Sequence, residues 1–389
     1  MKKLWIIMTL GASLCAMEFP AFKALALERS PRLASFAMQS AIARKEGDIS
    51  LMYGNPELEI EAGRFTPERG DAGNGWRAAV AQPFRVPGLG NDLEAQRSAN
   101  VAVAKASLLR GRAGFVAALE RAWTEYVYAR GLKSVAEEEA RIAARFETMT
   151  QTRFENGAAT RAQRLQATAE KLAAHNRVLA LAQREEQAFY RLLSLAGITE
   201  EVALEGGFLY PVEAAVSAPL KSPDIALQRQ KSTALKTQAR AEDHALRNWT
   251  LYGEYENEPN QAIARIGFSA ALPFFNVQKE RASLSRLRAR RTELESLGTQ
   301  RAQRVHHRAL ERLIAADVRR DAALRGLQKK QRELLELFEE GYRLSGTSLL
   351  DLLLAKSRLI ETKRTRLAVR REANLARIEM NYLEGKYND

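Results

Sequence analysis

One order of elements occurs twice in this sequence, and each copy has only two strands. Each copy begins with a helix, continues with two strands of alternating polarity, and ends with a very long helix, a sharp break and a shorter helix. The copies span residues 17–197 and 222–389, and a linker at 198–221 contains Gly and Pro. Two strands form only a marginal sheet, and four cannot close into a barrel. The pattern predicts an internally duplicated α+β chain, mostly α, that needs partner chains to complete its sheet.

Four segments show the period-two alternation of a half-buried strand. The predicted strands are 58–65 and 75–86 in the first copy, and 249–256 and 262–275 in the second. Pro83 indicates an edge, a bend or a strand end, because proline has no N–H to donate. Aromatic residues on these strands fit a lipid-facing surface, and the alternative is the core of a small soluble sheet. These aromatic residues are Trp76, Phe84, Trp249, Tyr255, Phe268 and Phe274.

Long helices account for most of the remaining chain. Leu165, Leu172 and Leu179 recur at a spacing of seven, which favours coiled-coil packing. At about 1.5 Å per residue, the predicted long helices 89–152 and 278–341 each span roughly 96 Å. Two shorter helices placed end to end would match each of them in length. The lengths therefore predict a long cylinder of paired helices.

The N-terminus predicts export. Two lysines precede an apolar run at 4–14, and cleavage after Ala16 would remove a signal peptide of residues 1–16. The only cysteine of the chain, Cys15, lies in this segment, so the mature chain would have neither a thiol nor a disulfide. Cys15 is alternatively a site of lipid attachment, which the bulky Leu14 before it disfavours. No later segment is long and apolar enough for a helical span.

The charge pattern and the absence of known chemical motifs argue against an enzyme. The formal net charge is +13, but the basic residues are interleaved with Glu along the predicted helices. This pattern favours solvated helix faces over a surface that binds nucleic acid. The sequence has no glycine-rich phosphate loop, Cys/His metal cluster or zinc-protease motif. We therefore expect no catalytic residues, no cofactor, no bound metal and no nucleic-acid partner.

The repeated order of elements, with several short motifs, resembles the TolC-type outer-membrane efflux proteins over nearly the whole mature chain. The motifs are Asn55-Pro56-x-Leu58, Gln82-Pro83-Phe84 with Pro87-Gly88, and the helix breaks at 154–163 and 342–353. The run from Gln82 to Gly88 is more similar to the heavy-metal and cation branch of the family than to its drug branch.

The resemblance implies a homotrimer in the bacterial outer membrane. Three chains would form one 12-stranded barrel in outer-membrane lipid, and the helices would continue as a tunnel across the periplasm. The chain would receive substrates from a periplasmic adaptor (membrane fusion) protein and an inner-membrane pump and conduct them passively to the outside. The RND type is one candidate for the pump. The helix breaks would lie at the inner tip of the tunnel.

The residues of the two helix breaks are the expected site of a gate. Three copies of Asp351 around an axis would form a ring of negative charge that favours cations. The alternative, to which we give equal weight, is that Asp351 is an acid near the start of a helix and interacts favourably with the helix dipole. The candidates for the constriction are Asp351, Gln163, Arg153, Arg161 and Arg343, and the alternative for the arginines is solvated charge. Candidates for the reversal and for adaptor contact are Gly157, Ser345 and Gly346.

Two other functions stay open at this point. The same duct would also suit type I protein secretion or the efflux of organic solutes, because a duct does little substrate selection. A different class is a soluble, basic coiled-coil scaffold protein. Such a scaffold needs neither an export signal nor four strands with alternating apolar faces.

Overall fold

The structure, a computed structural model, describes residues 16–66, 72–214, 216–259, 261–275, 279–344 and 346–388. Cys15, nearly all of the predicted signal peptide and Ser345 lie outside these residues. The elements are α1 (Phe19–Arg29), α2 (Pro31–Leu51), β1 (Glu57–Phe65), β2 (Gly73–Arg85), α3 (Leu89–Glu155), α4 (Arg161–Ala196), α5 (Pro223–Glu242), β3 (Asn248–Glu258), β4 (Gln261–Ala270), α6 (Lys279–Arg343) and α7 (Leu349–Leu383).

The predicted fold class is confirmed: the chain is mostly helical and has a four-stranded antiparallel sheet. Among the residues that the structure describes, no helix combines the length and the apolar character that crossing a membrane requires. The internal duplication and the completion of the sheet by other chains stay predictions.

The chain divides into two compact units, and each takes segments from both halves of the sequence. In the described chain, the first unit comprises residues 16–33, 112–222 and 303–388. The second unit comprises residues 34–111 and 223–302 and contains the whole sheet. The units therefore do not coincide with the predicted sequence repeats.

The sheet has the strand order β1-β2-β3-β4, so β1 and β4 are edge strands within the chain. Pro83 lies in β2, which is an inner strand, but β1 pairs with β2 only as far as Ala81. At Pro83 the only strand neighbour is therefore β3, through Thr250. This local edge accommodates a residue that cannot donate a backbone hydrogen bond.

The fourth strand ends earlier than the sequence predicts. The prediction extended it to residue 275, whereas β4 ends at Ala270, opposite Trp249. Only Asn248 of β3 precedes Trp249, so the segment 271–275 has almost no strand to pair with. Pro273 also lacks an amide hydrogen for the ladder. At the other end of this hairpin the pairing extends further than predicted, to Glu258 opposite Gln261.

The largest buried cluster of the first unit surrounds Trp123 of α3. The Trp123 ring lies 5.1 Å from the ring of Phe19 and 6.0 Å from that of Tyr126, measured between centroids. Its Nε1–H donates to the carbonyl oxygen of Gly207 at 3.1 Å. Trp123 is 1% exposed and packs with α1, with the end of α4 and with Leu204 of the linker. The linker is thus fixed to the helices by both apolar contact and a hydrogen bond.

A buried polar network fixes the linker and the C-terminal residues to α3. The Glu120 carboxylate, which is buried, accepts a hydrogen bond from the Tyr210 hydroxyl at 2.8 Å and another from the Tyr387 hydroxyl. Asn374 of α7 accepts from the Tyr210 N–H and donates to the Tyr210 carbonyl, both at 3.0 Å. Burial, with the negative charge of Glu120, raises the pKa of Tyr210 to about 12. Burial also raises the pKa of Tyr387, so both phenols stay neutral donors.

We expect Tyr210→Phe to lower the free energy of unfolding by about 1–2 kcal/mol, because a hydrogen bond to a buried carboxylate is lost. The folded pKa of Tyr210, about 12, exceeds its ordinary value of 10.0. The stabilisation is therefore fully present below pH 10 and is lost as the pH rises through 12. Denaturant unfolding between pH 8 and 12 measures the difference between the two proteins, which should shrink above pH 10.

Tyr53→Phe is the matched control, because Tyr53 is 64% exposed. Its unfolding free energy should follow that of the unmodified protein at every pH. If the difference in unfolding free energy between Tyr210→Phe and the unmodified protein stays constant from pH 8 to 12, the hydrogen bond from Tyr210 to Glu120 does not stabilise the fold.

Candidate functional site

One face of the sheet is apolar on all four strands. Directly opposed residues in an antiparallel sheet share a face, and the register aligns Leu58 with Val80, Val80 with Gly253, and Gly253 with Ile266. Large apolar residues of this face are exposed, for example Ile60 (69%) and Ile266 (82%). The apolar members of the face are Leu58, Ile60, Ala62, Trp76, Ala78, Val80, Phe84, Trp249, Leu251, Gly253, Tyr255, Ala262, Ala264, Ile266, Phe268 and Ala270, and its polar members are Gln82 and, at the opposite end, Arg64, Asn74 and Asn257.

Five of the six predicted lipid-facing aromatic residues lie on this apolar face. Trp76 and Tyr255 have ring centroids 5.4 Å apart, and the rings of Phe84 and Trp249 stack at 5.0 Å. Phe268 of β4 is 76% exposed on the same face. The sixth residue was placed wrongly on a strand. Phe274 follows the end of β4, because that strand loses its partner after Ala270.

The opposite face of the sheet carries a lattice of ion pairs. Arg77 of β2 contacts Glu59 at 2.8 Å, Glu61 at 3.2 Å and Glu254 at 3.4 Å. Arg265 of β4 pairs with Glu254 and, at 2.8 Å, with Glu256. The lattice therefore connects all four strands. The glutamates of β1 and β3 alternate with period two, which is the signal in the sequence that could have predicted this lattice.

A stripe of exposed leucines lies on α4. Leu165, Leu172 and Leu179 are 56%, 64% and 57% exposed, whereas Ala167 and Ala174 are buried. The predicted seven-residue spacing of the leucines therefore marks a face that is not packed within the described chain. Packing of this stripe against another helix stays a prediction.

The first helix reversal connects α3 to α4 through Gly157. Gly157 has a φ of 75°, in the left-handed region that glycine favours. Its N–H donates to Phe154 O at 3.0 Å, and the N–H of Ala158 donates to Arg153 O at 2.7 Å. These two bonds satisfy carbonyl groups at the end of α3 in a Schellman motif. The expectation that Gly157 permits the reversal agrees with this geometry.

Gln163 and Asp351 occupy equivalent capping positions at the starts of α4 and α7. The Gln163 N–H donates to Thr160 Oγ1 at 3.2 Å, and the Thr160 N–H donates to Gln163 Oε1 at 2.8 Å. At the second reversal the Asp351 N–H donates to Ser348 Oγ at 3.2 Å, and the Ser348 hydroxyl donates to the Asp351 carboxylate at 2.7 Å. Asp351 is exposed. Each residue therefore has a local capping function, and the ring of Asp351 stays a prediction.

Arg153 joins the ends of α3 and α6. Its guanidinium donates to the carbonyl oxygen of Tyr342 and, at 3.1 Å, to that of Ala158. The Arg153 Cζ lies 4.5 Å from the centroid of the Tyr342 ring, and the Tyr342 and Thr150 hydroxyls are 3.1 Å apart. Tyr342 is 2% exposed. Sequence analysis missed the roles of Tyr342 and Thr150, because no spacing rule connects residues on separate helices.

The other predicted residues of the two reversals are more exposed. Arg161 is exposed at the first position of α4. Arg343 is exposed and lines a cavity of about 500 Å³ with Arg153 and Asn156. Gly346 lies in the second reversal and donates its N–H to Gly341 O at 2.8 Å. Within the described residues, no group of three or more His, Cys, Asp or Glu side chains is placed to hold a metal ion.

We expect Gly157→Ala to open the first reversal locally. A Cβ at Gly157 meets no atom within 4 Å, so the cost is conformational and amounts to about 1–2 kcal/mol. Hydrogen exchange at the Ala158 amide should accelerate about 5- to 30-fold. Gly298→Ala, in the interior of α6 with equally open space, should leave that amide unchanged. Equal exchange rates at Ala158 in all three proteins would show that the left-handed turn stabilises nothing.

No protein-family model matches the chain, and no curated protein sequence matches it. Solved structures do match over almost the whole chain. The outer-membrane protein VceC from Vibrio cholerae has a TM-score of 0.78 at 14% identity and covers 94% of this chain and 95% of its own.

Two further solved structures are similar. The outer-membrane channel OprN has a TM-score of 0.77 at 16% identity, covering 95% of this chain and 91% of its own. CusC has a TM-score of 0.76 at 14% identity, covering 94% and 91%. VceC is described as an outer-membrane protein and OprN as an outer-membrane channel. The chain therefore has the fold of the TolC-type outer-membrane efflux channels.

Proposed function

We propose that this chain is the outer-membrane duct of a tripartite efflux pump. The observation that carries the proposal is the two-sided sheet, which has an exposed apolar face and an ion-paired face. In a bilayer the apolar face suits lipid and the charged face suits a water-filled lumen. The fold of the TolC-type channels supports the same assignment.

We propose three copies of the chain per duct. Both edge strands, β1 and β4, have one neighbour each in the described part of the chain, and unpaired backbone groups are costly in lipid. Three chains with four strands each would close a 12-stranded barrel without an edge. The exposed leucine stripe of α4 supports packing of the helices of different copies.

The duct works with two partner proteins in this proposal. A periplasmic adaptor protein would contact the exposed helix reversals near Gly157 and Gly346, and an inner-membrane pump, with the RND type as a candidate, would supply the energy. Asp351 would form a cation-favouring ring at the tip, and Arg153 would hold the two reversals together through Tyr342. The run from Gln82 to Gly88 resembles the heavy-metal and cation branch of the family. Metal cations are therefore the first substrate class to test.

Membrane fractionation of the native host tests the duct itself. We expect the full chain in the outer-membrane fraction and a particle of three chains after extraction with a mild detergent, by mass determination. A monomer or dimer that is soluble without detergent would overturn the duct and favour the basic coiled-coil scaffold. A third outcome is a trimeric duct whose deletion impairs export of a protein or an organic solute and leaves metal resistance intact. That outcome would keep the duct and change only the substrate assigned to it.

Asp351→Asn tests the charge ring in planar bilayers under a salt gradient. Asparagine keeps an oxygen that accepts from Ser348 and removes only the charge, so the α7 cap should persist. We expect the ratio of cation to anion permeability to fall.

Glu361→Gln is the matched control for this charge change. Glu361 is an exposed acid on the same helix, away from the reversal, so its removal should leave the permeability ratio unchanged. An unchanged ratio for Asp351→Asn would assign Asp351 to helix capping alone.

A further inference from the structure

We propose that a cavity between α3 and α4 binds an amphiphilic organic anion. The cavity has a volume of about 730 Å³ and lies within the first unit. Its walls come from α3 and α4, and one residue of α7 closes one side. Cavities of this size hold molecules of several hundred daltons. The site is separate from the sheet and from the helix reversals, and it does not depend on the proposed duct.

The walls of the cavity have a surplus of positive charge. Arg184 and Arg191 of α4 and Arg371 of α7 line it, and Glu125 of α3 is its only carboxylate. Within the described chain, neither Arg184 nor Arg191 forms an ion pair. Two cationic side chains are thus left to interact with a ligand.

The acidic residues next to Arg184 in the sequence do not neutralise this surplus. Glu185 pairs with Lys133 at 2.9 Å. Glu186 does not line the cavity and belongs to a neighbouring surface groove. The charge of the cavity therefore stays positive.

Arg371 and Arg184 are held in place before any ligand binds. The Arg371 Nε–H is shared between the two carboxylate oxygens of Glu125, at 2.8 and 2.9 Å. The Tyr128 ring centroid lies 5.2 Å from the Arg371 Cζ and 5.8 Å from the Arg184 Cζ. One aromatic ring therefore holds two guanidinium groups close together. Such an arrangement of like charges favours the binding of an anion.

The floor of the cavity is apolar. Ala122 and Ala129 of α3 and Ala180 and Ala188 of α4 line it, so alanine methyl groups form the apolar part of its wall. The carboxamides of Gln183 and Gln187 add hydrogen-bonding groups to the rim. A ligand would place its acidic group on the arginines and its hydrocarbon part on the alanines. A small inorganic anion would gain only the first of these interactions.

Equilibrium dialysis of the purified full chain in dodecyl maltoside, with naphthalene-1,5-disulfonate as the probe, tests this site. We expect saturable binding of one probe per chain. The double variant Arg184→Gln, Arg191→Gln should weaken the affinity about tenfold or more, because charge-assisted hydrogen bonds are lost. Ala180→Leu, at an exposed position, should also abolish binding by filling the cavity.

The matched control is the double variant Arg308→Gln, Arg319→Gln. Both residues are exposed arginines of α6 outside the cavity, and their replacement removes the same charge. This control should bind the probe like the unmodified chain. Equal loss of binding in both double variants would show that only the overall charge matters and would overturn the site.

Two further outcomes would also overturn the proposal. One is the absence of saturable binding by the unmodified chain. The other is competition by sulfate at the same concentration as the probe, because the alanine floor would then contribute nothing. Ala180→Leu keeps every charge, so it tests the cavity even if the arginine variants fold poorly.

Discussion

The unpaired backbone along β1 and β4 is the constraint on which the rest of this structure depends. Each edge strand has one strand neighbour among the described residues and leaves a row of N–H and C=O groups on its other side, and the face beside it is apolar. Water can satisfy such groups only if the apolar face is also left in water, which is unfavourable. Lipid covers the apolar face but cannot satisfy the edges. In the proposed duct, closure with other copies would meet both demands at once.

The ion pairs on the charged face of the sheet restrict how the four strands can pair. Arg77 and Arg265 each contact more than one glutamate, so the polar face is held in one arrangement by shared ion pairs. Each pair is only partly buried, and exposed pairs contribute little individually. Together the pairs favour one pairing register of the strands, because a slip by one residue would move the arginines onto the apolar face.

The helical part shows how long helices are ended and joined without a large loop. Gly157 takes the left-handed conformation, Thr160 and Ser348 cap the next helices, and Arg153 binds the backbone of Tyr342. Orphan carbonyl and amide groups at the reversals are therefore satisfied by nearby residues. Gly157, Thr160 and Ser348 are exposed in these reversals, whereas Tyr342 is buried. A reversal that is stable by itself and accessible from outside is a suitable surface for docking.

The sequence by itself determined the order of the elements, the apolar face of each strand and the position of the first reversal. Period-two alternation, proline and glycine act over a few residues, so these signals can be read locally. Only the tertiary structure decided that the four apolar faces lie on one side, that β4 ends at Ala270 and that Arg153 meets Tyr342. Strand ends depend on the length of the partner strand, and contacts between distant helices depend on packing. The cavity of Arg184, Arg191 and Arg371 arises in the same way, because its walls combine residues 122–129, 180–191 and 371, which are far apart in the sequence.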